Sequence, residues 1–445
     1  MTKNQTVKKS SRSQGKSQQK PPLVKFRKTT LSNGISVLTE NHHLSRAVSC
    51  GIWVKKGTRD EGAAEAGLAH FIEHMVFKRT AKRNAYEISR DMEAVGGELN
   101  AFTSREYTCF VTHSLKEHVG LSLDVLSDLV CRPKFDLNDI KKEKQVVIQE
   151  IHMADDQLED CIFDRYLALA YPSSTVGKPI LGTVKSISGM AREKIIDFHA
   201  RQYTDANLLV TVSGHLDHDE VVGLIDRHLK TPRRVTDGML SERQQTEELK
   251  GFRSAIRKPS EQAHVLVGFP ASDFRSTLKF EGSLVNTVLG GGMTSRLYQK
   301  VREERGLVYS IYSQLVTFVD SGLNLIYAGT EPKKAPEVVD LTVKEIKRLK
   351  KNGLKKSELE FYKTQIKGQI LLGADDIENR MNSLAINEMI FGKYRSIDDV
   401  IYDIEKISLD SVHEYIDTFF DLEKMGIMIM GAVPEAPTRK WLENL

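Results

Sequence analysis

The chain has 445 residues, 40% of them hydrophobic and 28% charged, with 64 Lys/Arg against 60 Asp/Glu. That length exceeds one ordinary core, so two or three domains are expected, and the balance is that of a globular protein, not a fibrous or low-complexity one. No apolar run approaches the roughly 18–20 residues of a membrane span, so no membrane partner is expected.

The charge is unevenly spread. Residues 1–28 carry nine Lys/Arg and no Asp/Glu, leaving 55 basic against 60 acidic residues in the rest. Residues 1–22 are rich in Lys, Ser and Gln and nearly free of apolar side chains. They lack the apolar core of a secretory signal and the apolar face of a mitochondrial presequence. They read as a disordered basic tail, with weak attraction to nucleic acid or an anionic surface as the runner-up; nucleic acid is not an expected partner. Cys50, Cys109, Cys131 and Cys161 form no Cys-x-x-Cys pair and read as reduced thiols. A cytoplasmic location is expected, or the mitochondrial matrix for a eukaryotic source.

Thr30 to Glu40 reads as two short strands around the Asn33-Gly34 turn, and Ala47 to Val54 as a third. After a turn-rich stretch comes Gly67-Leu68-Ala69-His70-Phe71-Ile72-Glu73-His74-Met75-Val76-Phe77, which contains His-x-x-Glu-His. Its other residues tolerate a helix, with no proline and no interior glycine. His70 and His74, four apart, then project from one face and could share a metal ion, with Glu73 beside it. This residue order is the inverzincin signature, the reverse of His-Glu-x-x-His. A catalytic zinc site needs a third protein ligand and an open position.

Asn84 to Val95 reads as a helix that stops at Gly96-Gly97, and Leu99 to His113 as a strand and its return. Leu115 to Val130 and Leu137 to Met153 read as amphipathic helices. On the second, Glu143 and Glu150 lie two turns apart on one face. Either carboxylate could complete a His, His, Glu set with the other behind it, and spacing alone does not choose between them.

Over roughly residues 25–440 the sequence resembles the pitrilysin-type inverzincin metallopeptidases, in the branch of the catalytic β-subunit of mitochondrial processing peptidase and its bacterial relatives. The resemblance rests on Gly67 to Lys78, on Gly96-Gly97-Glu98-Leu99-Asn100-Ala101-Phe102-Thr103, and on Val147-Ile148-Gln149-Glu150-Ile151. It implies that His70, His74 and Glu150 bind one zinc ion per chain. It further implies that Glu73 is the general base and that Glu143 fills the second acidic position on the ligand helix.

Lys230 to Gln262 shifts toward charged and polar residues and reads as an interdomain linker, bounded here at 233–260. Beyond it the pattern recurs. Leu354 to Asn379 lies without gaps on Phe135 to Asp160, setting Gln369 at the Glu150 position and Tyr362 at Glu143. Ser283 to Gly290 likewise matches the His70 helix with its ligands gone. The expectation is α+β: two homologous domains, 23–232 and 261–445, each a mixed or antiparallel sheet covered by helices, enclosing a cleft. The first would bind metal; the second would be degenerate and serve the substrate.

Gly290 to Tyr298 reads as a loop leading into a helix that ends at Gly306. By the resemblance, Arg302 and Tyr309 reach the substrate carbonyl beside the scissile bond, a role for preorganised donors. An extended peptide is expected to add a strand beside Asn100, Ala101 and Phe102. Asp160 and Asp164, four apart, match acidic positions that pair with a substrate arginine in processing peptidases. Together these imply a zinc endopeptidase acting on extended, basic, presequence-like peptides; the rival is a non-catalytic core-type structural subunit. The expected partners are a peptide or unfolded polypeptide, and a second copy or a related inactive subunit in a dimer.

Overall fold

The computed structural model describes residues 24–231, 243 and 245–445. The basic tail at 1–22 and most of 233–244 lie outside those residues. Two sheets organise the chain. The first is built from β1 (Val24–Thr30), β2 (Ser36–His42), β3 (Ala47–Val54), β4 (Glu98–Thr103), β5 (Thr108–Leu115) and β6 (Leu208–Gly214). The second holds β7 (Phe252–Arg257), β8 (Ala263–Pro270), β9 (Val308–Thr317), β10 (Gly322–Thr330) and β11 (Gly426–Gly431).

Their orders are β1-β2-β6-β3-β5-β4 and β7-β11-β8-β10-β9. Drop β1 and the two coincide strand for strand, each with one parallel pair (β2 with β6, β7 with β11) among antiparallel ones. A shared weak sequence pattern can be chance; a shared order and polarity is what duplication leaves. Each sheet is therefore mixed, with β4 and β9 at equivalent free edges.

The predicted linker is too long. β7 lies inside it and pairs with β11 in parallel register, Phe252 opposite Gly426. An edge strand exposes one face and one side, so Phe252-Arg253-Ser254-Ala255-Ile256-Arg257 alternates weakly and reads as polar chain. The helix expected from Leu115 also starts later: β5 runs to Leu115 and the helix α3 (Val119–Cys131) follows a short turn.

The halves are not self-contained, because each lends a helix to the other. In the first half, α1 (Leu68–Val76), α2 (Ala85–Glu93), α3 and α4 (Leu137–Asp156) cover their own sheet. The next helix, α5 (Leu158–Ala170), packs instead on β8 and β11. There Tyr166 occupies space that any side chain at Gly268 or Gly426 would fill. Reciprocally, the helix Ile377–Phe391 lies on β2, β3 and β6, with Met381 and Ala385 against Leu38, Trp53 and Leu209. Ion pairs cross the same boundary: Arg380 holds Glu40 at 2.7 and 3.0 Å, and Arg59, paired with Glu106 in its own half, reaches Asp320 in the other. All four cysteines are buried and unpaired. Among the described residues no helix is long and apolar enough to cross a membrane.

Candidate metal centre

The site is assembled from α1, α4 and the end of β4. Leu68, Ala69, Phe71, Ile72, Met75 and Val76 are all buried, which fixes the helix and leaves His70, Glu73 and His74 on its remaining face. The start of α1 is sharply set. Gly67 has φ 85°, and a Cβ there would come within 2.7 Å of the Leu181 carbonyl. The buried Glu61 carboxylate accepts the Gly67 and Ala69 N–H groups at 2.9 and 2.8 Å, capping the helix from below.

α4 begins at Asp136, whose side chain accepts the Asn138 and Asp139 N–H groups. It runs past α1 and brings Glu143 and Glu150 to the histidines. Ligand atoms of His70, His74 and Glu150 all lie within 4.8 Å of one another. His74 Nε2 is 3.4 Å from Glu150 Oε2, while its Nδ1 is 2.8 Å from Glu143 Oε1. Glu143 is buried and its other oxygen takes Lys78 Nζ at 2.8 Å. Sequence spacing left Glu143 and Glu150 equivalent; the fold separates them, one behind His74 and one in front.

The electrostatics fit a cation. Burial, together with the neighbouring His74, pulls the His70 pKa down to about 4, so its imidazole is neutral, the form that binds a metal. Its Nδ1 is buried with no hydrogen-bond partner. Burial works against a charged His74, but the bond to Glu143 and the fields of Glu150, Glu143 and Glu73 raise its pKa. A divalent ion would displace the proton shared across that array. Burial also opposes the Glu143 charge, and the bonds from His74 and Lys78 prevail to hold it low. With Nδ1–H directed at Glu143, His74 keeps Nε2 free as a ligand, the usual carboxylate–histidine arrangement of metal sites. Two imidazoles and one carboxylate are a donor set that zinc uses.

Glu73 stands beside this set. Burial raises its pKa, and the Thr103 hydroxyl, donating to Oε2 at 2.5 Å, pulls the other way. Thr103, Lys78 and Glu61 were not singled out from the sequence. Thr103 and Lys78 lie within the quoted motifs; nothing in the sequence marks Glu61.

Other expected residues are placed less completely. Asn100 and Phe102 are exposed and Ala101 half-buried on the free edge of β4. Asn100 Oδ1 accepts the Ala101 N–H at 2.8 Å. Arg302 lies over the rings of Tyr298 and Tyr309, at 4.8 and 5.9 Å, and Tyr309 is 78% exposed. No hydrogen bond or ion pair among the described residues joins either to the histidine–glutamate set. Asp160 is exposed at the start of α5, but Asp164 is already taken: Arg105 Nη2 holds it at 2.8 Å. Arg105 thus offsets the charge of Asp164 while leaving that side chain 44% exposed, a pairing that the sequence alone could not show.

The chain is similar to known proteins over most of its length. Residues 36–184 match the family model for insulinase, peptidase family M16, and residues 189–366 match that for the peptidase M16 inactive domain. A Mycobacterium leprae protein named as an uncharacterized zinc protease is 36% identical over 91% of each chain. A Bacillus subtilis protein of the same description is 33% identical over 87% of this chain and 94% of its own. In fold, a protease from Helicobacter pylori superposes with a TM-score of 0.87 at 20% identity, covering 92% of this chain and all of that one. A peptidase M16 inactive domain structure from Pseudomonas fluorescens gives 0.86 at 19% identity, over 92% and 98%. The chain belongs to the insulinase-type peptidase family M16.

Proposed function

We propose that this chain is a zinc-dependent endopeptidase acting on extended polypeptide. The observation that carries this reading is the convergence of His70, His74 and Glu150 with Glu73 alongside. The names of the relatives supply the metal: they are zinc proteases, and the donor set suits zinc. The chemistry such an ion supplies is Lewis acidity, which makes water easier to deprotonate and a peptide carbonyl easier to attack.

The chain's own residues do the rest. Glu73, its carboxyl raised by burial, takes a proton from the attacking water and returns it to the leaving amine. Thr103 fixes one carboxylate oxygen and leaves the other for that work. Glu143, kept ionised by Lys78, holds His74 in one tautomer. The free edge of β4, at Asn100, Ala101 and Phe102, aligns the peptide by backbone hydrogen bonds. Arg302, half-buried, and the exposed Tyr309 beside it on the second half serve as donors to the substrate carbonyl.

The test is Glu73→Gln. Zinc content stays at the parent value while cleavage of an unstructured peptide falls by about 10²–10⁴-fold. A variant as active as its parent leaves a structural subunit as the better reading.

A further inference from the structure

One helical turn beyond Glu150, on the same face of α4, Ala154 opens into a cavity of about 340 Å³, within the roughly 300–1,000 Å³ of small-ligand sites. Its apolar lining comes from Ile151, Ala154, Ala168, Pro179, Leu181 and Val184. Leu181 and Gly182 also back Gly67, so the cavity abuts both helices that carry the ligand set. Four helical residues rise about 6 Å; two residues of extended peptide span about 6.6 Å. That spacing matches a substrate side chain one or two places from the scissile bond.

Three aspartates stand in its wall, and two have an arginine partner. Asp155 pairs with Arg165 at 2.9 Å and lies 3.7 Å from Lys258 Nζ. Asp164 is bound by Arg105, whose Nε is also held by the Val176 carbonyl at 2.8 Å. The Arg105 side chain is only 12% exposed. The Asp164 side chain is itself 44% exposed, but the guanidinium beside it already offsets its charge, so a substrate cation gains less there than from an unpaired carboxylate. Only Asp160, exposed at the rim, lacks an ion pair among the described residues.

We propose that this cavity receives a large uncharged aliphatic side chain of the substrate, and that Arg105, by neutralising Asp164, is the residue that closes it to lysine and arginine. The proposal rests on the peptidase reading above for the position of the peptide. It departs from the basic preference that Asp160 and Asp164 suggest in the sequence.

The experiment uses one unstructured peptide with Leu, Ala, Arg or Glu at each of the two positions either side of the bond that the zinc-loaded parent cleaves. At one position kcat/KM favours Leu over Arg and over Ala by about tenfold or more, the discrimination a filled apolar pocket gives. Arg105→Gln exposes Asp164 and lowers the Leu-to-Arg ratio about tenfold, while Ala154→Phe fills the cavity and removes the Leu-to-Ala ratio. Asp164→Asn checks the pair from its other side: it leaves Arg105 uncompensated and raises the Glu peptide relative to Arg. The same rankings are read as peptide Kd on Glu73→Gln protein by fluorescence anisotropy, which needs no turnover. A parent that favours Arg in rate and binding, or a Leu-to-Arg ratio indifferent to Arg105→Gln, overturns the proposal. Absent hydrolysis with the binding order intact overturns the peptidase reading and leaves the pocket assignment standing.

Discussion

The two halves of this molecule keep the same sheet and the same helix pair, yet only one of them carries the polar set. In the first, α1 and α4 meet through His74, Glu143 and Glu150. In the second, the helices Lys279–Gly290 and Lys356–Gly373 pack against each other in their place. Where Glu143 would stand, Tyr362 donates its hydroxyl to the Thr294 carbonyl at 2.9 Å, and Gln369, in the register of Glu150, is exposed. Thr294 lies in the loop after the first of these helices, where Arg296 also pairs with Glu358 of the second, so polar contacts other than a histidine–glutamate set serve this pair. The second half packs its helices with no imidazole or carboxylate at these positions, so the largely desolvated set of the first half adds a cost that packing alone does not require. What that set adds is a place for a cation.

If the exchanged helices bind the halves into one unit, damage to either should unfold both. Met381→Ala leaves a cavity over the first sheet and costs about 2–5 kcal/mol, as buried Met truncations do. Urea unfolding of Trp441→Phe protein with and without Met381→Ala, followed by Trp53 fluorescence and by circular dichroism, is expected to shift together, as one transition. Two separated transitions would show that the lent helix is an ornament.

Acid sharpens the contrast next. His199 is buried between Phe135 and Tyr203, and burial, partly offset by the Val130 carbonyl, lowers its pKa to about 4. His70 in the same half is lowered equally; in the second half burial also lowers His264. The unfolded chain takes up protons near pH 6.5 that the folded chain refuses until about 4, so stability falls as pH drops through that window. For His199 the loss reaches at most about 3 kcal/mol. Melting temperatures of zinc-free protein between pH 7 and 5 should fall less steeply in His199→Leu than in the parent. Identical slopes would assign the acid sensitivity elsewhere.

Smaller still is the effect of the groups behind His74. Lys78→Met or Glu143→Gln should weaken zinc about 10–100-fold in a competition titration, as loss of such supporting bonds does. Tyr362→Phe, at the matching place in the second half, should leave zinc affinity at the parent value. An equal loss from Tyr362→Phe would mean that helix packing, not the charge relay, sets affinity.

Much of this was legible in the chain. The His70 helix, β3, the β4–β5 pair and the ligand helix follow from periodicity and turn residues, and the repeat at Leu354 to Asn379 foretold the second helix pair. Three things were not. β7 was read as linker because an edge strand carries little hydrophobic signal. The helix exchange leaves no mark because α5 and Ile377–Phe391 look like ordinary amphipathic helices, and sequence does not say which sheet a face will meet. The Arg105–Asp164 pair joins residues 59 apart, a distance that no local pattern encodes.

The central claim is a three-residue zinc site closed by Glu150. Zinc content and X-ray absorption of the parent and of Glu150→Gln test it directly. The account predicts one zinc per parent chain with nitrogen and oxygen ligands at about 2.0–2.2 Å, and a sharp loss of bound zinc in the variant. A Glu150→Gln protein that holds its zinc with unchanged affinity and an unchanged ligand shell would contradict it.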